Sequence, residues 1–288
     1  MRRLASLCAA AVLLAAWTAL AGPKPPVSGP RTLVFCAPGY PGTTEEAQPR
    51  MDEIAGALAE LAGWPKDQFR ATYFPQEKAG LARFAEADVV LALVPLPFFL
   101  QHEAALKLSP RLAIVQQGQA AMQSWTLVAK KGALKQATDL DGYSVFSTAG
   151  YSPDFVTKVA LGGFGKVPAT VKVTTGGQVL SALRKAAAGS EKLAVVLDAE
   201  QAAAVPTLPF ASELEVVHVS AKVPVALVAT LGDRLPAADW KAVGAAFTKL
   251  SSTERGKVAL EGVRLTGFVA LDEPALAAAR KAFGGAAK

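Results

Sequence analysis

Cysteine and histidine are nearly missing from this 288-residue chain, which has two of each: Cys8, Cys36, His102 and His218. So few ligands cannot assemble a four-coordinate structural zinc site of the usual Cys/His kind, although single ions on carboxylates stay open. Only Cys36 remains once the N-terminal segment described below is set aside, so no intramolecular disulfide is expected in the mature chain. Aromatic residues are also few, at 7%, and they do not interleave with the scattered basic side chains. That argues against the charge-and-stacking footprint of a nucleic-acid binder. The net charge of +6 falls to about +4 when Arg2 and Arg3 are removed, a mild excess suited to attracting a small anion. Heptads, solenoid periods and low-complexity tails are absent, apart from a richness in alanine. No residue pattern implies a cofactor.

What is present begins with an export signal. Met1-Arg2-Arg3 is basic, Leu4 to Leu20 is apolar, and Ala19-Leu20-Ala21 offers a small-x-small cleavage site before Gly22. This is the pattern of a secretory signal peptide over residues 1–21. A retained membrane anchor is the rival. Ser6 and Thr18 inside the run, and Pro23, Pro25 and Pro26 just after it, speak against that. Cys8 lies inside the run, not at its end, which argues against lipid attachment. A soluble, periplasmic protein of about 267 residues is expected, long enough for two lobes.

Beyond the signal, strand-like and helix-like segments alternate, the mark of a parallel α/β architecture. Strands are predicted at 31–36, 69–74, 88–94, 113–116, 125–129, 144–146, 169–173, 193–197, 215–219 and 223–230. Pro49 reads as the first turn of a helix with the apolar stripe Met51, Ile54, Leu58 and Leu61. Further helices are predicted at 78–85, 153–161, 177–188, 237–250, 253–260 and 274–283. Pro95 and Pro97 read as breaks after the third strand, with Phe98 and Phe99 as core, hinge or pocket-wall residues. His102 reads as a surface residue and His218 as a strand residue.

The stretch Ser144 to Asp154, SVFSTAGYSPD, carries the most chemistry. A short apolar run ends in the hydroxyls Ser147 and Thr148, a glycine follows, and Ser152-Pro153 reads as N-cap and N1 of a helix. A strand tip, a hydroxyl-rich turn and a helix start can hold a small anion without a metal or a base. The plainer alternative is that Ser147 and Thr148 close a turn and Ser152 only caps its helix.

The order of pieces, together with Leu140-Asp141-Gly142 before a strand, Val223-Pro224-Val225-Ala226-Leu227-Val228, Phe247-x-x-Leu250, Gly256-x-x-x-Leu260 and Gly267-Phe268, resembles the solute-binding proteins of ABC importers. The likeness is to their phosphate/phosphite/phosphonate type and covers most of residues 31 to 283. It implies an α/β, two-lobe, type II periplasmic-binding-protein fold with two crossing hinge strands near 117–125 and 220–224. Residues 22–120 and 223–288 would form lobe 1, and 121–222 lobe 2. It further implies capture of a small anionic solute by hinge closure, a permease and ATPase as partners, no cofactor, no catalysis, and a monomer.

Three loops would meet in the cleft, at the carboxyl ends of parallel strands. The first supplies Tyr40, Thr43 and Thr44, the second Ser147, Thr148, Tyr151 and Ser152, and the third Thr174 and Thr175. Asp198 matches the family's acidic position, with helix capping as its plainer role. The apolar Val94-Pro95-Leu96-Pro97-Phe98-Phe99 segment departs from what a phosphonate site needs, which leaves two readings: a solute with an apolar part, or one that is not a phosphonate at all. Two rivals stand beside this reading: an enzyme on the same scaffold with Cys36 as nucleophile, and a solute sensor for a membrane-bound signalling partner.

Overall fold

The computed structural model describes residues 29–284, so the predicted signal peptide lies outside the described residues. The first half of the chain alternates regularly. Strand β1 (Arg31–Cys36) leads to helix α1 (Thr44–Ala62), then β2 (Phe69–Phe74), α2 (Glu77–Phe84), β3 (Val89–Pro95), α3 (Leu96–Leu106) and β4 (Leu108–Gln116). The predicted start of α1 at Pro49 is too late. Thr43 accepts from the Glu46 backbone while the Glu46 side chain reaches back to Thr43 N, a reciprocal cap that starts the helix upstream and leaves Pro49 inside it. Pro95 and Pro97 do not break the chain either: Pro95 is the last residue of β3. Pro97 falls in the first turn of α3, where a missing N–H costs nothing. Phe98 and Phe99 are fully buried there.

The chain then crosses through β5 (Met122–Gln123) into a second α/β set. This comprises β6 (Thr126–Lys130), β7 (Ser144–Phe146), β8 (Lys172–Thr174), α4 (Val179–Ala188), β9 (Leu193–Leu197), α5 (Ala199–Ala204) and β10 (Leu214–Val219). The predicted strand at 169–173 is shorter and later than expected. The predicted helix at 153–161 contains a π-helical turn over Phe155–Ala160, closed by Leu161 N donating to Val156 O at 3.0 Å. The return crossing is β11 (Val223–Pro224), followed by β12 (Ala226–Leu231), α6 (Ala237–Lys249), α7 (Glu254–Gly262), β13 (Leu265–Val269) and α8 (Glu273–Gly284). Gly267-Phe268, read as a turn, lies within β13.

Two sheets result. The first has the order β13-β4-β12-β3-β1-β2, and the second β10-β6-β9-β7-β8. In the first, β2, β1 and β3 are parallel; β12 pairs antiparallel with β3, β4 antiparallel with β12, and β13 antiparallel with β4. The second is parallel at β8, β7 and β9. Strand β3 is a continuous apolar run because helices cover both faces of its sheet. A two-stranded antiparallel ribbon, β5 with β11, joins the sheets where the chain crosses twice. One apolar cluster fills the space between the first sheet and α1, α6 and α7. Another runs without interruption from Cys36, Phe98 and Phe99 on the first-sheet side to Trp125, Phe155 and Leu161 on the other. Helix α8 packs on the π-helical turn and on β11, while its Arg280 pairs with Glu103 of α3 at 2.5 Å, so it straddles both halves. No described helix is long and apolar enough to cross a membrane.

Candidate functional site

The loop after β1 is drawn into a turn by Tyr40 N donating to Ala37 O at 3.2 Å. Gly39 has φ +85°, and a Cβ there would stand 2.8 Å from the Thr148 carbonyl oxygen of the second lobe. Only glycine fits this backbone and this approach, which is one of the places where the two halves touch.

On the other side, residues 147–152 form two successive tight turns. Ser147 N donates to Thr174 O at 3.0 Å, Gly150 N to Ser147 O at 3.0 Å, and Ser152 N to Ala149 O at 2.9 Å. The hydroxyls that this winding gathers are deeply placed: Ser147 is 0% exposed, Thr148 8% and Ser152 1%. Ser147 Oγ accepts from Ala149 N at 3.2 Å. Thr148 Oγ1 accepts from Gln201 Nε2, and its carbonyl accepts from Thr175 Oγ1, both at 3.4 Å. Ser152 Oγ is buried and finds no hydrogen-bond partner among the described residues.

Asp198 caps α5. Its carboxylate accepts from Gln201 N at 2.8 Å, and the Gln201 side chain accepts from Asp198 N in return. Loss of water around the buried carboxylate holds its pKa above the usual range. Tyr40, 38% exposed, has its phenol pushed up to about 12 by desolvation first and the nearby Asp198 charge second. Tyr151 reaches from the second lobe toward Cys36 and Glu77 of the first, and desolvation holds its phenol well above the usual value.

Beside this junction opens a cavity of about 400 Å³. It lies at the carboxyl ends of β1 and β3, bounded by Tyr40 and Thr43 on one side and by Gln116 and Arg264 on another. Glu200 of α5 borders it from the second lobe and pairs with Arg264 at 2.6 Å.

A family model described as ABC transporter, phosphonate, periplasmic substrate-binding protein matches residues 44–276. The chain belongs to this family. The likeness read from the order of pieces therefore holds, and the two-lobed fold is that of type II periplasmic binding proteins. Among solved structures, XAC2383 from Xanthomonas citri bound to ATP has a TM-score of 0.67 at 14% identity, covering 88% of this chain and 97% of that one. PhnD1 from Prochlorococcus marinus in complex with methylphosphonate has a TM-score of 0.57 at 14% identity, over 86% and 95%. A binding-protein component of an ABC phosphonate transporter from Pseudomonas aeruginosa has 0.55 at 14%, over 88% and 85%. A search of curated proteins finds no match.

In this phosphonate-family protein the residues expected to bind divide into two groups. Ser147, Thr148, Ser152, Thr175 and Asp198 gather on the second lobe, with Tyr151 projecting from the same loop. Tyr40 and Thr43 line the cavity, and Thr43 is also the N-cap of α1. Thr44 is the first residue of α1, and Thr174 contributes its carbonyl to the Ser147 turn while its side chain is exposed.

Cys36 is fully buried, with its thiol pushed up to about 12 by desolvation and then by Glu77. That is the reverse of an activated nucleophile. His102, read as a surface residue, is half-buried and bonds Glu77 at 2.7 Å. Sequence reasoning missed Gln201, Gln116 and the Glu200–Arg264 pair. The spacing Asp198-x-x-Gln201 is a capping-box signal that pointed to the first of them.

Proposed function

We propose that this chain captures a phosphonate-like anion between its lobes and delivers it to the permease and ATPase of an ABC importer. Residues 22–120 and 223–288 act as one lobe, 121–222 as the other, and the protein works as an exported monomer after cleavage near Ala21. The anion's oxygens take their donors from Ser147, Thr148 and Ser152, with Tyr40 approaching from the facing lobe. The observation that carries this reading is Ser152 Oγ, buried without a partner in a loop already dense with hydroxyls. A buried hydroxyl left unpaired costs about 1–3 kcal/mol, which an accepting oxygen of the solute would recover. Several such bonds to a charged group, at about 1.5–3 kcal/mol each, support micromolar or tighter binding after association costs.

The test exploits opposite signs. Ser152→Ala should raise the melting temperature of the ligand-free protein, because it removes an unsatisfied group. The same change should weaken methylphosphonate binding about tenfold in isothermal titration calorimetry. A variant that melts lower and binds as well as the parent would show that Ser152 serves the fold alone.

A further inference from the structure

The cavity beside the hydroxyl loop is built for a different chemistry from the loop itself. Its walls include the buried apolar side chains of Phe35, Met51, Leu93, Ile114 and Leu265. The charges around its rim are already engaged. Glu46 is held in the cap of α1, Arg50 pairs with Glu53 at 3.1 Å, and Arg264 pairs with Glu200. A phosphonate head placed here would lose water against an apolar wall and meet only cations that are already paired. An apolar group placed here would gain what the head would lose.

Size points the same way. A dry cavity of about 150 Å³ suffices to bind benzene, and this one measures about 400 Å³. A methyl group would leave most of it unfilled. Tyr40 connects the two regions: it lines the cavity and lies close to Asp198 and Tyr151 of the other lobe. The preceding residue, Gly39, touches the Thr148 carbonyl.

Resting on the phosphonate reading above, we infer that the preferred solute is an organophosphonate with a bulky apolar substituent. Its head lies on the Ser147–Ser152 loop, and its alkyl or aryl group passes Tyr40 into the cavity at the ends of β1 and β3. Inorganic phosphate and methylphosphonate use only the first part of this site.

Calorimetric titration of the mature protein with phosphate, methylphosphonate, propylphosphonate and benzylphosphonate tests this. Each buried methylene should tighten binding about fourfold, so the propyl compound should exceed the methyl one by more than tenfold. The heat-capacity change should grow more negative along the series. Equal or falling affinity from methyl to benzyl overturns the inference and leaves phosphonate capture standing, whereas no binding by any of the four overturns both. Ala47→Trp, on the α1 wall of the cavity, should cut the benzyl-to-methyl affinity ratio at least tenfold. A variant that binds methylphosphonate as the parent does and keeps the parent's benzyl-to-methyl ratio also overturns the inference.

Discussion

Asp88 shows how much one side chain can tie together. Its carboxylate accepts from Arg83 Nη2 at 2.5 Å and Nη1 at 2.8 Å, and from Thr32 Oγ1 at 2.5 Å. These bonds join the start of β1, the end of α2 and the turn before β3. The hydrogen bond from Arg83 is the largest cause that holds the Asp88 carboxyl down to about 2. An aspartate in an unfolded chain titrates near 3.9. Because the folded pKa is the lower one, the contribution to stability is complete above about pH 4 and disappears as pH falls through about 2. The pair is a quarter to a third exposed, so solvent screening limits this contribution to about 1 kcal/mol. Denaturant unfolding of the parent and of Asp88→Asn at pH 6 and pH 2 should show the parent ahead at pH 6 and the two nearly equal at pH 2. A constant gap would mean that the carboxylate's charge is irrelevant there. Asp198 is the opposite case, a buried carboxylate held high, and its helix-capping role was readable from its position after an apolar strand.

Among the elements, those legible in sequence are the ones whose partners are local. Strand β3 was readable because an apolar run flanked by turn residues has few other uses, and α4 because its apolar residues repeat at helical spacing. Helix α3 was missed because Pro95 and Pro97 look like breakers, although a helix tolerates proline in its first turn. Strand β13 was missed because it forms only by pairing with β4, about 150 residues earlier in the chain. The seating of α2 on β1 was equally hidden. Gly80 faces Cys36 so closely that an added Cβ would lie 2.2 Å from Sγ. Helix propensity alone favours Gly80→Ala by about 1 kcal/mol, whereas overpacking typically costs about 1–3 kcal/mol. Packing should win, and Gly80→Ala should destabilise in urea unfolding. Adding Cys36→Ala should recover much of the loss, giving a coupling of about 0.5–3 kcal/mol in a double-mutant cycle. Additive effects would show that α2 moves aside freely.

At the scale of the whole molecule, the proposed capture depends on how two lobes meet, and this is where sequence says least. The hydroxyls of Ser147 and Thr148 were legible as a strand tip, but Gly39 against Thr148, Tyr151 beside Cys36, and Arg264 with Glu200 exist only once the lobes face one another. Of these, the ion pair is the contact that salt can tune. Arg264 sits in the left-handed region at φ +57°, uncommon for a side chain of its size, and from there it reaches Glu200 across the cavity mouth. Both side chains are largely exposed, at 71% and 57%, so the pair is worth about 0.2–1 kcal/mol. If that energy belongs to the closed arrangement, its loss shifts the open–closed balance by at most about fivefold, and ligand affinity follows in proportion. Glu200→Gln should therefore weaken binding by about 1.4- to fivefold at low ionic strength. The difference from the parent should vanish near 0.5 M salt, where the screening length is only about 4–5 Å. A deficit that persists at high salt would assign Glu200 to direct contact with the solute, and no deficit at any salt would mean that the latch holds nothing closed.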